Sequence, residues 1–233
     1  MTESRTGHGL RLFLDSADTA AWDRWLPTGL FHGVTTNPVL LERAGEPCSV
    51  DNLAVLAARA RDLGAREIHL QTWGDDENSM YERAGMLAYL ANSDLAVAVK
   101  VPVTTVGLGV ARRLADHGTR ITLTAVYQPG QVVAAAGFGA AYAAPYLGRL
   151  DDAGQDGQAV ALAMHDILLT TGATTRLLTA SLRSAETVTN LARQGLDTFT
   201  FGPAVAEQLL TSELTETAAS DFQRAAEAMG DDR

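Results

Sequence analysis

Lys100 is the only lysine in a chain of 233 residues that carries 17 arginines. Arginine serves surface charge and phosphate binding, but its guanidinium stays protonated and cannot act as an amine nucleophile. A chain that uses arginine everywhere else and keeps lysine at one apolar position points to a task only an amine performs. Lys100 lies in the run Leu-Ala-Val-Ala-Val-Lys-Val-Pro-Val, residues 95–103. Desolvation in such a stretch disfavours the ammonium form, and a neutral amine attacks a ketone carbonyl. The resulting imine is an electron sink through which the C3–C4 bond of a ketose can break. That chemistry needs neither metal nor cofactor, and no metal-ligand spacing is visible. The five histidines are scattered, and His69 reads as a core or supporting residue.

Other polar residues fall late in apolar runs, as Lys100 does. Asp15 ends the first run. Thr35 and Asn37 end the second, two apart and so on one face. Gln71 ends the third and Thr124 lies near the end of the fifth. Tyr146 and Arg149 close the sixth, and Ser181 and Arg183 close the seventh. Any one of these alone reads more simply as a satisfied core polar group or a helix cap, and Asp15 and Asp18 are both candidate N-caps. Seven runs placing polar groups at the same end is better explained by one site, because inward polar groups without partners are costly. The guanidinium fork suits phosphate oxygens, so Arg149 and Arg183 are expected to clamp a phosphate.

The elements that must position these residues follow from periodicity. Short apolar runs at residues 10–16, 32–37, 67–73, 95–103, 120–127, 141–147, 176–182 and 198–202 alternate with amphipathic stretches. Helical spacing is clearest over residues 50–64, 78–91, 106–117, 158–170, 185–194 and 204–210. Glycines such as Gly64 and Gly172 follow several of these stretches, where a helix C-cap favours them. The pattern predicts an α/β fold, a (β/α)8 TIM barrel with an extra C-terminal helix over residues 213–229. An open doubly wound sheet is the alternative, but Leu-Asp-Ser-Ala-Asp after the first strand is no glycine-rich phosphate turn. In a barrel the site lies at the C-terminal strand ends, where the polar residues above fall. Residues 1–9 are expected to form a flexible tail and residues 10–233 one catalytic domain.

Composition narrows the partners. A net charge of −10 argues against nucleic acid, while a locally positive site still admits a small anion. No apolar run approaches the ~20 residues of a membrane helix, so no membrane partner is expected. One cysteine, Cys48, allows no intrachain disulfide, and the first residues contain no apolar signal region. A cytoplasmic location is therefore expected.

The same residues carry a resemblance. Phe13-Leu14-Asp15-Ser16-Ala17-Asp18, Gly33-Val34-Thr35-Thr36-Asn37-Pro38 and Val99-Lys100-Val101-Pro102-Val103-Thr104 resemble motifs of the short transaldolases and fructose-6-phosphate aldolases. So do Thr124-Ala125-Val126-Tyr127, the segment from Ala144 to Asp151, and Ala180-Ser181-Leu182-Arg183. The likeness runs in order from Leu10 to about residue 225. It implies that Lys100 is the Schiff-base lysine, and that Asp15 is an acid/base at the C4 hydroxyl. It further implies that Thr124 helps hold a catalytic water, and that Thr35, Asn37 and Ser181 bind substrate hydroxyls. Arg149 would bind phosphate, with Arg183 at a second basic position. The implied substrates are ketose and aldose phosphates. The implied assembly is a ring-shaped homo-oligomer, a pentamer or decamer, with the last helix packing on a neighbour.

Three positions divide the family. Transaldolases commonly carry Glu where this chain has Gln71 and Phe where it has Tyr146, so these two resemble the aldolase pattern. Gly148 resembles the transaldolase form. Gln71 cannot exchange a proton as a carboxylate does, and Tyr146 adds a hydroxyl beside Lys100; both bear on imine hydrolysis. The first expectation is a transaldolase moving a dihydroxyacetone unit from a ketose phosphate to an aldose. The alternatives are an aldolase releasing free dihydroxyacetone, or a barrel that only binds sugar phosphates.

Overall fold

Parallel pairing joins every strand to its neighbours in one continuous sheet. The computed structural model describes residues 9–230, so the expected tail lies outside the described residues except for Gly9. The strands are β1 (Arg11–Asp15), β2 (Gly33–Thr35), β3 (Glu67–Gln71), β4 (Ala96–Pro102), β5 (Ile121–Val126), β6 (Tyr142–Pro145), β7 (Arg176–Leu177), β8 (Thr179–Leu182) and β9 (Thr198–Phe201). Their order is β7-β6-β5-β4-β3-β2-β1-β9-β8. The two end segments, β7 and β8, are halves of one run interrupted only at Leu178. The chain itself therefore closes the ring, and the Leu178 amide donates to the Ala143 carbonyl at 2.8 Å across the seam. The nine segments are thus the eight expected strands, the seventh split at Leu178.

The helices on the outside are α1 (Thr19–Trp25), α2 (Pro38–Ala44), α3 (Val50–Asp62), α4 (Glu77–Ala88), α5 (Thr105–Ala115), α6 (Pro129–Gly137), α7 (Leu147–Asp152), α8 (Gly157–Thr171), α9 (Ala185–Arg193), α10 (Pro203–Leu210) and α11 (Glu213–Met229). Side chains of Asn37, Ser49, Thr104, Asp156 and Ser184 accept from backbone amides of the first turn and fix where five of them start. Gly172 ends α8 at φ 64°, a left-handed position that costs glycine little. Periodicity had not marked α1, α2, α6 and α7. They have six to nine residues each.

Strand alternation creates two cores. Outward side chains such as Leu14, Ile68, Val99 and Leu123 pack against the helices. Inward side chains Phe13, Ala98, Tyr142, Ala144 and Leu178 fill the barrel in a separate cluster. Toward the N-terminal strand ends, that interior holds a buried carboxylate, Glu67. Its Oε1 accepts from Arg120 Nε at 3.1 Å and lies 3.1 Å from His69 Nε2. Its Oε2 accepts from the Tyr142 hydroxyl at 3.1 Å, with Arg11 Nη1 at 3.7 Å and His32 Nε2 at 3.5 Å. Burial alone would raise the carboxyl pKa. Bonds from His32 and His69 and the charge of Arg120 outweigh it and hold Glu67 far below the usual carboxylate range.

One helix stands apart. α11 has no buried residue, although Leu214, Ala218, Phe222, Ala225 and Met229 form one stripe at helical spacing.

Candidate active site

The inward side chains at the C-terminal strand ends converge. Pairing in register sets Asp15 beside Thr35 and Gln71 beside Lys100. Lys100 is 3 % exposed, and its Nζ donates to the Thr36 carbonyl at 2.8 Å. Thr35 Oγ1 donates to Asp15 Oδ1 at 2.7 Å. Its oxygen lies 2.5 Å from Thr200 Oγ1, which must therefore donate back. This chain of hydroxyls fixes one oxygen of Asp15 and leaves the other for a ligand. Asp18, not Asp15, caps α1, accepting from the Ala20 amide at 2.9 Å. Asn37 caps α2 through Oδ1, which accepts from the Leu40 amide at 3.0 Å, so its Nδ2 donors remain available.

Asp15, Asn37, Lys100, Tyr146, Arg149 and Ser181 line one cavity of about 110 Å³. Larger hollows exist, including one of about 430 Å³ bordered by Arg176 and Asp197 at the N-terminal strand ends. It holds no lysine, so volume alone does not mark the chemistry. Four residues with ionisable or permanently charged side chains other than tyrosine border the small cavity: Asp15, Arg43, Lys100 and Arg149. Three of the four are basic side chains in a chain of net charge −10.

Two expected residues sit just behind this wall. Thr124 Oγ1 lies 2.6 Å from the Tyr146 hydroxyl, a pair in which either can donate. Gln71 is partly exposed beside Lys100 in the sheet. Arg183, the other expected phosphate clamp, pairs with Asp152. Its Nη1 and Nη2 donate to the two carboxylate oxygens of Asp152 at 2.7 and 2.5 Å, outside the cavity lining. The short α7 brings Asp152 within reach, a pairing that spacing could not reveal. Asp152 is held below its usual range, first by the bond from Arg183. Gly148 lets this region close up, since a Cβ there would meet the Ser181 carbonyl at 2.6 Å and Arg183 Nε at 2.8 Å.

The backbone is strained beside the site. Ala125 and Ser181 both have φ 58°, the only non-glycine residues with positive φ among those described. Each occupies a register shift, Ala125 between Thr124 and Val126 and Ser181 between Thr179 and Leu182. Such conformations cost on the order of 1 kcal/mol each and persist where surrounding structure enforces them. Here they re-aim the chain next to Thr124 and at Ser181 itself.

His69 lies deeper, fully buried beneath Lys100 and edge-on to Phe13. Burial lowers its pKa despite Glu67, so the ring is neutral. With a proton on Nε2 facing Glu67, Nδ1 accepts from Thr122 Oγ1 at 2.9 Å. That is the core and supporting role expected of it. Thr200 and Arg43 were not anticipated. Thr200 was within reach of the same alternation, in Thr-Phe-Thr-Phe at residues 198–201. Arg43 belongs to the unmarked helix α2.

A closed parallel barrel with polar side chains gathered at its C-terminal rim is the architecture of a barrel enzyme. Comparison with known proteins narrows the class. The chain matches the family described as Transaldolase/Fructose-6-phosphate aldolase over residues 12–232. A protein named probable transaldolase from Rhodospirillum centenum is 38 % identical over 214 residues, 91 % of this chain and 89 % of that protein. Proteins of the same name from Caulobacter vibrioides and Exiguobacterium sibiricum are 33 % and 31 % identical, over 91 % and 93 % of this chain and 94 % and 99 % of theirs. The chain belongs to the transaldolase/fructose-6-phosphate aldolase family. No helix among the described residues is long and apolar enough to cross a membrane.

Proposed function

We propose that the protein is a Schiff-base transaldolase that moves a dihydroxyacetone unit from a ketose phosphate to an aldose phosphate. The observation that carries this reading is the buried amine of Lys100, in one small cavity with Asp15, Asn37, Ser181 and Arg149. Nζ adds to the C2 ketone and water leaves, forming an imine. The free oxygen of Asp15 takes the C4 hydroxyl proton as the C3–C4 bond breaks, and the electron pair passes into the imine to give an enamine. Glyceraldehyde 3-phosphate departs. The enamine carbon then attacks the acceptor aldehyde, Asp15 returns the proton, and water releases the new ketose from Lys100. The Nδ2 donors of Asn37 and the hydroxyl of Ser181 suit substrate hydroxyls, and Arg149 suits the phosphate. The excess of cations in the cavity favours an anionic substrate.

A second reading has an observation of its own. Tyr146 borders the cavity with the Thr124 hydroxyl paired behind it, and Gln71 stands beside Lys100. These groups can hold a water against the imine, which favours release of free dihydroxyacetone by an aldolase. Fructose 6-phosphate supplied alone separates the two. Production of glyceraldehyde 3-phosphate that depends on an added aldose supports the transaldolase, and sustained release without one supports the aldolase. Gln71→Glu adds a proton-exchanging carboxylate at this point. It should shift the ratio of transfer to release toward transfer by about tenfold, below the full effect of an engaged acid or base. Product analysis with and without acceptor measures this, and an unchanged ratio removes Gln71 from the water-handling role.

A ring-shaped homo-oligomer belongs to the same proposal. Leu214, Phe222 and Met229 on α11 are 83 %, 73 % and 82 % exposed, an apolar stripe that a neighbouring subunit would cover. Sedimentation of the full chain tests it, with a pentamer or decamer as the expected species and a monomer as the contrary result.

A further inference from the structure

We infer that Thr200, on β9, is a positioning residue that holds Asp15 in its ionised form and aims it for proton transfer. This role rests on the reading of Asp15 as the base of a Schiff-base aldol reaction and names what controls that base. β1 lies between β2 and β9 in the sheet, so Asp15 has one flanking strand on each side. Each strand supplies a buried hydroxyl, Thr35 from β2 and Thr200 from β9. On β9 the neighbours Phe199 and Phe201 turn outward into the core beneath the helices. Position 200 thus faces the barrel interior, where valine would fill the same space without a polar atom to satisfy.

The number of hydrogens fixes the direction of the chain. An ionised carboxylate has none to give, so the single hydroxyl hydrogen of Thr35 goes to Asp15 Oδ1, at 2.7 Å. The contact of 2.5 Å between the two hydroxyl oxygens then requires the hydrogen of Thr200. Two O–H dipoles therefore point head to tail at one carboxylate oxygen, and in a buried setting each strengthens the other. Donors aimed at a carboxylate favour its charged form. The chain thus opposes protonation of Asp15 until the substrate hydroxyl delivers its proton to the free oxygen. It also stops the carboxylate from turning. The charged and titratable groups that border the same cavity are Arg43 on α2, Lys100 on β4, Tyr146 just before α7, and Arg149 on α7. Among the described residues, the hydrogen bond that reaches the Asp15 side chain comes from Thr35, with Thr200 behind it.

Thr200→Val removes the hydroxyl and keeps the shape. With fructose 6-phosphate and an added aldose, kcat at neutral pH should fall about fivefold with KM nearly unchanged, the contribution of one net hydrogen bond. The acid limb of the kcat/KM profile should move to higher pH by about half a unit. Thr200→Ser restores the hydroxyl and should return both quantities toward the parent. Borohydride trapping of dihydroxyacetone at Lys100 should proceed in both variants as in the parent, because dihydroxyacetone has no C4 hydroxyl. A residue that only packs the barrel would leave the acid limb in place, and a disturbed fold would reduce trapping and turnover together. The assignment is overturned if the acid limb of Thr200→Val coincides with that of the parent, if Thr200→Ser behaves like Thr200→Val, or if trapping falls as far as kcat. An adduct in the parent with an unmoved acid limb refutes the role of Thr200 alone. No adduct in the parent refutes the proposed function and the role of Thr200 with it.

Discussion

Replacing Lys100 with arginine should leave a folded protein that turns over no substrate. The two side chains have similar reach, and an arginine can still donate to the Thr36 carbonyl that Lys100 now uses. What it cannot do is present a free electron pair to a carbonyl. Loss of the nucleophile leaves Asp15, Asn37 and Arg149 able to bind and orient a ketose phosphate with nothing to join it covalently. The fall in kcat should be on the order of 10⁴–10⁶-fold, the scale met when a nucleophile is removed from a cooperating set. Lys100→Met provides a second variant of similar length without charge, should the larger guanidinium disturb packing. Both should melt within a few degrees of the parent. Turnover within tenfold of the parent by either folded variant would remove the amine from the mechanism.

The second large effect concerns stability. Glu67 is 1 % exposed and sits among Arg11, Arg120, His32, His69 and Tyr142. Glu67→Ala leaves guanidiniums and imidazoles facing one another around a void. Breaking a buried charged set from one side costs about 3–5 kcal/mol. For a chain of this size that lowers Tm by roughly 10 °C. A loss of less than 1 kcal/mol would mean that the network contributes little. The pH dependence has a definite sign. Glu67 has a lowered folded pKa, so its contribution is complete above the unfolded value of about 4.3 and is lost as pH falls toward the folded value. His69 is also lowered, so below about 6.5 the unfolded chain takes up a proton that the folded chain refuses. Both therefore destabilise the fold as pH falls, His69 first. Urea melts from pH 8 to pH 3 should show the gap between parent and Glu67→Ala narrowing below about pH 4.3.

The parts of the site legible in the sequence share one property: they end strands. A period of two assigns Asp15, Thr35, Gln71, Lys100 and Thr124 to one face, and a barrel gathers such ends at one rim. The lone lysine then marks the centre. What stayed hidden depends on distances that exist only once the ring closes. Glu67 opens the third run, and a charged residue there reads as a solvated strand end. Its partners come from four other runs, residues 11, 32, 120 and 142, as well as from His69 on its own strand. Arg183 meets Asp152 across 31 positions because α7 is only six residues long. Arg43 was hidden because α2 was not marked as a helix, so nothing tied residue 43 to the rim. The register shift between Thr179 and Leu182 contains the left-handed Ser181, and no residue type signals a serine with positive φ.

The central claim is covalent capture of a ketose by one amine. Fructose 6-phosphate is added to the full-length protein, sodium borohydride reduces any imine, and the intact mass and peptide map are recorded. The account predicts a stable adduct of the three-carbon or six-carbon unit on Lys100, absent from Lys100→Arg. An unmodified protein, or an adduct that maps away from Lys100, would contradict it.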